Sequence, residues 1–326
     1  MISLITTVLN EKNNLADWLD GILSQTILPE EIIIVDGGSK DGTWEMLSEK
    51  SKQNSLIKVW QHPGNISSGR NFAISKAIGE IIVVTDAGCT YDVSWFRKIV
   101  EPILSSKSSF VATGFGPWFK PNDNLISYLV ASSTIPAPNE FKRNWLPSSR
   151  SVAFRKEVWQ KASGYPEWIT LCEDVIFDLK IFKLGIKTEY IREPLVFWRP
   201  RTTLKKYFKQ LFGYTRSDGH GKLWLRRQII RYTIYLVSIV LLYLTFKFSG
   251  WFVVVLLAGL IIYIKKFWLR WDVFSQNLSL NKKIIGFIFV PFVVAFGDVA
   301  KMCGWPVGVY ERRSGKIKFE KFKSIV

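Results

Sequence analysis

Carboxylates stand where apolar runs stop, and those are the places where this chain could do chemistry. Ile32–Val35 ends in Asp36-Gly37-Gly38-Ser39-Lys40-Asp41-Gly42-Thr43, and Ile81–Thr85 ends in Asp86-Ala87-Gly88-Cys89. An acid emerging from a buried, Val-rich strand costs free energy unless it is paired or holds a cation. Asp86 is therefore a candidate to hold Mg2+ or Mn2+ against a diphosphate, because Mg2+ is content with few carboxylates plus phosphate oxygens and water. The plainer reading makes Asp86 a cap for a helix expected near Ser94–Val100. Asp36 can accept a hydrogen bond from a base or ribose, and the glycines after it let a backbone approach a ligand closely. Taken alone, the same segment is an ordinary Gly- and Asp-rich turn. Glu173-Asp174 opens an amphipathic stretch; acids in a first helical turn suit the helix dipole. The alternative is that Asp174 works as a general base toward a hydroxyl group.

These residues need elements to position them. Ile2–Val8 is a short β-branched apolar run, read as a buried strand ending at Thr7-Val8-Leu9-Asn10-Glu11. Leu15, Trp18, Leu19, Ile22 and Leu23 follow at the spacing of one helix face, with Asn13 or Asn14 as cap and Pro29 as terminator. Ile32–Val35, Ile57–Trp60 and Ile81–Thr85 read as further strands, and Thr43 to about Lys52 and Ser67 to Ala77 as helices. This alternation predicts an α/β fold with a mostly parallel, Rossmann-like sheet flanked by helices. Ligands of such sheets bind beyond the carboxyl ends of the strands. After about Gly114, a run of prolines (Pro117, Pro121, Pro136, Pro138, Pro147) breaks the pattern into strand, loops and short helices. Asp174–Leu184 then reads as a helix and Thr188–Ile191 as extended chain.

The rest of the chain is apolar and basic. The 326 residues carry a net charge of +17 with 48% hydrophobic residues. From Arg199 to Arg231 there are ten Lys and Arg against the single acid Asp218. This cluster runs directly into apolar segments at about 232–246, 248–264 and 284–300, to be read as C-terminal transmembrane helices. A basic cluster beside an apolar run suits anionic lipid headgroups, so membrane is expected as the partner and nucleic acid is not, although phosphates of either would attract it. Basic residues flank the first two segments (Arg226, Arg227, Arg231; Lys265, Lys266, Arg270), which predicts a hairpin with both outer ends in the cytoplasm. The third segment is short, contains Pro291, and could span, re-enter or lie at the interface. Cys89, Cys172 and Cys303 show no metal or disulfide spacing. The N-terminus lacks the pattern of a signal peptide, so a multi-pass membrane protein with a cytoplasmic catalytic part is expected.

Together, Leu-Asn-Glu at 9–11, Val-Asp-Gly-Gly-Ser-Lys-Asp-Gly-Thr at 35–43, Gly-Arg-Asn at 69–71, Thr-Asp-Ala-Gly at 85–88 and Glu-Asp at 173–174 resemble the family 2 glycosyltransferases with a GT-A fold. The resemblance covers about residues 1–220, leaving 221–326 as the membrane region. It implies inverting transfer of a sugar from a nucleotide-diphosphate sugar, a UDP-sugar ahead of a GDP-sugar. The membrane-proximal basic stretch favours an acceptor such as polyprenyl phosphate or a lipid-linked glycan. It further implies that Thr7, Glu11, Asp36, Gly37, Arg70 and Asp86 line the nucleotide site, that Asp86 is the first acid of an Asp-x-Asp metal motif, and that Asp174 is the catalytic base. Ser149, Arg150 and Glu173 fall where the family frames donor sugar and acceptor. Arg199 and Arg201 fall in a departed version of its membrane-proximal Gln-x-x-Arg-Trp element. One departure is plain: Gly88 replaces the second acid of Asp-x-Asp, which puts the divalent metal in question. His220 or Asp218, in the Gly-rich Ser217–Gly221 segment, is a candidate to supply the missing contact from a mobile lid, the plainer reading being that His220 is a solvated loop histidine. A nucleotidyltransferase would share the α/β half but needs an early Gly-rich loop with Arg and Lys, and none follows Val8. A non-catalytic membrane scaffold would need no acids at these strand and helix ends.

Overall fold

The computed structural model describes residues 1–141 and 145–316. Its first half follows the expected alternation: β1 (Ile2–Val8), α1 (Lys12–Leu23), β2 (Glu31–Asp36), α2 (Thr43–Gln53), β3 (Ile57–Gln61), α3 (Ile66–Lys76) and β4 (Ile81–Val84). Then come β5 (Cys89–Tyr91), α4 (Trp95–Leu104), β6 (Phe110–Pro117), α5 (Leu125–Thr134), β7 (Val152–Arg155), α6 (Lys156–Lys161), α7 (Glu173–Lys183) and β8 (Thr188–Trp198). The C-terminal part is helical: α8 (Leu204–Gly221), α9 (Leu225–Lys247), α10 (Trp251–Phe274) and α11 (Leu280–Arg313).

The strands form one sheet in the order β3-β2-β1-β4-β7-β6-β8-β5. β3, β2, β1 and β4 are parallel neighbours, as are β6 and β8, while β7 runs antiparallel to β4 and β6, and β5 to β8. Successive strand residues face opposite sides, and both sides are covered. Leu4, Ile32, Ile34 and Val83 pack against Leu15 and Trp18 of α1 and Trp95 and Ile99 of α4. Ile5, Ile33, Val35 and Val84 pack against Ala73 and Ile74 of α3 and Phe177 and Ile181 of α7. Covering both faces explains why the runs are continuously Ile and Val rather than alternating with polar residues. Each such fully buried side chain contributes about 1.5–3 kcal/mol of transfer free energy.

Three local boundaries differ from expectation. Glu11, not Asn13 or Asn14, occupies the cap position of α1, because its carbonyl accepts the first helical bonds, from the N–H of Asn14 at 2.9 Å and Leu15 at 3.0 Å. That helix ends at Leu23, well before Pro29. β8 runs on to Trp198 instead of stopping at Ile191, since it pairs with β6 on one side and β5 on the other.

The contacts divide the chain into two compact units: Met1–Trp118 with Pro138–Arg199, and Phe119–Ala137 with the described residues from 200 onward. α8, expected to close the catalytic part, packs in the second unit along α11. The close approach needs glycine: a Cβ at Gly308 would collide with the Arg216 carbonyl oxygen. Three helices in this unit are long and apolar enough to cross a membrane: α9 with 23 residues, α10 with 24 and α11 with 34. A hydrocarbon core of ~30 Å needs about 20 helical residues. The first two exceed the apolar runs from which they were expected, because the flanking basic residues are helical too. The third run lies within a single helix that continues through Pro291 and Pro306. Asp298, 1% exposed, ties these helices together. It accepts from Arg231 of α9 and from Lys301, both at 3.2 Å, and from Tyr263 of α10 at 2.5 Å and Tyr235 of α9 at 3.3 Å.

Candidate active site

The first two motifs form a single construction at the carboxyl ends of β1 and β2. Asp36 is fully buried, and its carboxylate accepts from the backbone N–H of Gly38 and Ser39, from Ser39 Oγ at 2.5 Å and from Gln61 Nε2 at 3.2 Å. Gly38 and Gly42 have φ of +99° and +92°, a region open to glycine at no steric cost. The turn is laced to the end of β1: Asn10 N–H donates to Ser39 Oγ at 2.8 Å, and Lys40 N–H to Asn10 Oδ1 at 2.9 Å. Thr7 and Gly37 are half-buried beside it, as is Glu11, whose carboxylate accepts from Asn14. In this arrangement the Asp36 side chain organises its own turn, leaving the turn's backbone and Thr7, Glu11 and Gly37 as the surface a ligand would meet.

The third, fourth and fifth motifs meet at Arg70. Asn65 caps α3 by accepting from Ser68 N–H at 3.0 Å, and Gly69 lets the helix press against Thr7 Cγ2. Arg70 is thereby carried behind the end of β4, where it is 2% exposed. Its Nη2 lies 2.8 Å from Asp86 Oδ1 and its Nη1 2.6 Å from Glu173 Oε1. The guanidinium therefore does not line the ligand surface as expected; both of its ends are spent on acids, which it positions. Burial opposes its charge, but Asp86 and Glu173 outweigh that and hold its proton more tightly than usual. Burial and neighbouring Asp174 push the Glu173 carboxyl above the ordinary range.

Asp174 follows Glu173 in the first turn of α7 and is half-buried. The helix is entered through Cys172 at φ +62°, a conformation that costs a non-glycine residue energy and that clusters at functional sites. One turn later, Asp178 is 1% exposed, and both its oxygens lack a hydrogen-bond partner. Burial, and then Asp174, push its carboxyl well above the ordinary range. Beside it, Tyr165 stacks on Phe177 at 4.1 Å and shares a 2.9 Å hydrogen bond with Ser149 Oγ. Asp178 and Tyr165 escaped the reading of the sequence because nothing local distinguishes them from ordinary helix and loop residues.

Asp86 also faces Arg150, whose Nε is 3.5 Å from its Oδ2. Among the described residues no group of three or more His, Cys, Asp or Glu is placed to hold a metal. Asp86 alone offers one carboxylate, which fits a divalent cation only where phosphate oxygens and water supply the other ligands. Cys89 adds nothing to such a site, since burial and then Asp86 push its thiol up to about 12. Arg199 and Arg201 are exposed in the link after β8. His220 is not on a loop or lid as expected. It lies in the last turn of α8, 6% exposed, with Nε2 2.8 Å from Glu311 of α11. Asp218 lies in the same helix. His220 is spent on holding two helices together, so it is not carried forward as a metal ligand.

Comparison with known proteins bears on the family and the fold. The model of the family described as Glycosyl transferase family 2 matches residues 3–154. The O-antigen chain rhamnosyltransferase RfbN of Salmonella typhimurium is 26% identical over 221 residues, covering 64% of this chain and 70% of that protein. The succinoglycan biosynthesis protein ExoA of Rhizobium meliloti is 23% identical over 237 residues, covering 69% and 70%. Among solved structures, the mannosyltransferase PcManGT from Pyrobaculum calidifontis, in complex with GDP-Man and Mn2+, superposes with a TM-score of 0.53 at 18% identity, covering 92% of this chain and 86% of that one. The match runs from β1 into β7 and includes the Asp36 turn, Arg70 of α3 and Asp86. Residues 3–154 belong to glycosyltransferase family 2, and the chain that carries them is a glycosyltransferase of GT-A fold.

Proposed function

We propose that the chain transfers a sugar, with inversion, from a nucleotide-diphosphate sugar to an acceptor presented by the membrane. The observation that carries this is the buried Arg70 bridge: it links the acid at the end of β4, Asp86, to Glu173, the neighbour of Asp174. One guanidinium thus fixes the place for the donor's phosphates relative to the base. In the reaction, Asp174 takes the proton of the acceptor hydroxyl while its oxygen bonds to the anomeric carbon. The bond from that carbon to the phosphate oxygen breaks, and the nucleoside diphosphate leaves with the electron pair. Thr7, Glu11, Gly37 and the Asp36 turn hold the nucleoside, and Ser149 and Arg150 frame the transferred sugar. Where a divalent cation is bound, Asp86 is the residue to hold it, adding neutralisation of the leaving diphosphate.

The donor is a UDP-sugar in this reading, with a GDP-sugar next. A lipid-linked acceptor, such as polyprenyl phosphate or a growing glycan on a lipid, is supported by the O-antigen rhamnosyltransferase among the relatives and by the three apolar helices. The basic residues at the outer ends of α9 and α10 (Arg226, Arg227, Arg231; Lys265, Lys266, Arg270) favour a hairpin with those ends, and the catalytic unit, in the cytoplasm. The test is a screen of radiolabelled UDP- and GDP-sugars on membranes containing the chain, followed by lipid extraction. Label in the lipid fraction from one donor, absent with Asp174→Asn, is the expected result. Label appearing only in water-soluble products overturns the lipid acceptor.

A further inference from the structure

Gly88 leaves open space in the segment just after Asp86, and the cation Arg150 stands at the Asp86 carboxylate. A Cβ at Gly88 would meet nothing within 4 Å, so the position of the second acid is open space rather than packed core. Arg150 borders the same carboxylate at 3.5 Å. Its guanidinium lies 4.6 Å over the Trp198 ring, and its Nη1 is 3.1 Å from Ser148 Oγ. The backbone beneath is held equally firmly: Thr85 Oγ1, from the residue before Asp86, donates to the Arg150 carbonyl at 2.9 Å, and Ser149 is buried against Tyr165. Arg150 remains 29% exposed, whereas Arg70 is 2% exposed, with its two terminal nitrogens on Asp86 and Glu173.

A guanidinium braced on one face by an aromatic ring and partly open presents a planar fork of N–H groups matched to phosphate oxygens. Stacking removes rotamer freedom in advance, so little is lost when an anion arrives. Resting on the proposed transfer from a nucleotide sugar, we infer that Arg150 supplies the principal positive charge against the donor's diphosphate, so that donor binding survives removal of divalent metal. On arrival, the diphosphate meets the N–H groups of the Arg150 guanidinium beside Asp86. In the reaction the same groups receive the charge that develops on the leaving phosphate oxygen.

The test is calorimetric titration of the detergent-solubilised full chain with UDP and with GDP, in EDTA and in Mn2+. For the wild type, affinity in EDTA is expected within about tenfold of that in Mn2+, and Arg150→Ala should weaken it in EDTA by about tenfold or more, as for a lost charge-assisted hydrogen bond. Arg150→Lys, which keeps the charge and serves as the folding control by its melting temperature, should lie between. Gly88→Asp combined with Arg150→Ala should recover affinity in Mn2+ only, because the open space accepts a second carboxylate. Wild-type binding confined to Mn2+, or Arg150→Ala binding in EDTA as wild type does, overturns the inference while leaving the transferase reading intact. Binding of neither nucleotide under any condition overturns both.

Discussion

At the end of the sheet, one buried cation, Arg70, is shared between two acids, Asp86 and Glu173. Among the apolar helices, one buried acid, Asp298, is shared between two cations, Arg231 and Lys301, and two tyrosines. The two networks have opposite polarity, and the difference matches what each must do. Asp298 is saturated, with donors on both oxygens, so its network joins α9, α10 and α11 and offers nothing to a ligand. The Arg70 network leaves Asp86 26% exposed on its side chain and places the half-buried Asp174 beside Glu173. A buried ion pair is weak evidence of net stability; what the Arg70 bridge does is hold two carboxylates from elements far apart in the chain in one place.

The largest expected effect would test the open network. Asp174→Asn should lower the transfer rate by about 10²–10⁴-fold, the range for a lost general base, with nucleotide affinity nearly unchanged; turnover close to wild type would remove Asp174 from that role. Next, Arg70→Met leaves the buried Glu173 uncompensated and Asp86 with Arg150 alone and should destabilise the fold by about 3–5 kcal/mol, read by thermal unfolding. A melting temperature equal to wild type would show that the two acids do not depend on the bridge. The helical unit should respond to packing as well as to charge: Gly308→Ala puts a methyl group against the Arg216 carbonyl and should cost about 1–3 kcal/mol. An unchanged melting temperature would mean that α8 and α11 can part without cost.

The smallest effect concerns Asp178 and appears as a pH dependence. Its carboxyl is raised by burial and by Asp174 above the ordinary 3.8, so the folded chain keeps a proton that the unfolded chain releases. That contribution to stability is whole below the unfolded value and is lost progressively as pH rises toward the folded one. The groups facing Asp178 are Asp174 and Glu173 of its own helix, Arg70 of α3, Tyr165 and Tyr190 of β8. Asp178→Asn should melt higher than wild type at neutral pH and lose that advantage near pH 4. Parallel melting curves across the range would show that Asp178 is ionised in the fold.

Much of the fold was legible in the chain because its causes are local. Ile32–Val35 and Ile81–Val84 are β-branched runs covered on both faces, and Asp36-Gly37-Gly38 reads as a turn, so the strand ends followed directly. The apolar runs near 232 and 248 likewise announced α9 and α10. Local pattern failed where partners are distant. The glycine-rich Ser217–Gly221 segment reads as a loop, yet it is helical because α11 offers Glu311 to His220 and a groove for Gly219. Pro291 hinted at a break that the long helix α11 does not make.

The sequence by itself determined which residue types stand at the ends of the strands, the acids at 36, 86, 173 and 174, the missing acid at 88, and the apolar length needed to reach a membrane. Those follow from side-chain type and from periods of a few residues. Only the tertiary structure decided how the residues are used: Arg70 is buried rather than open, bound to Glu173 across 103 positions of chain, and Arg150 is brought to the carboxylate beside Gly88. Neither pairing has a local signature. Each exists because α3, α7 and the segment before β7 converge on the end of β4, and the cost of burying a charge alone leaves the paired arrangement as the stable one.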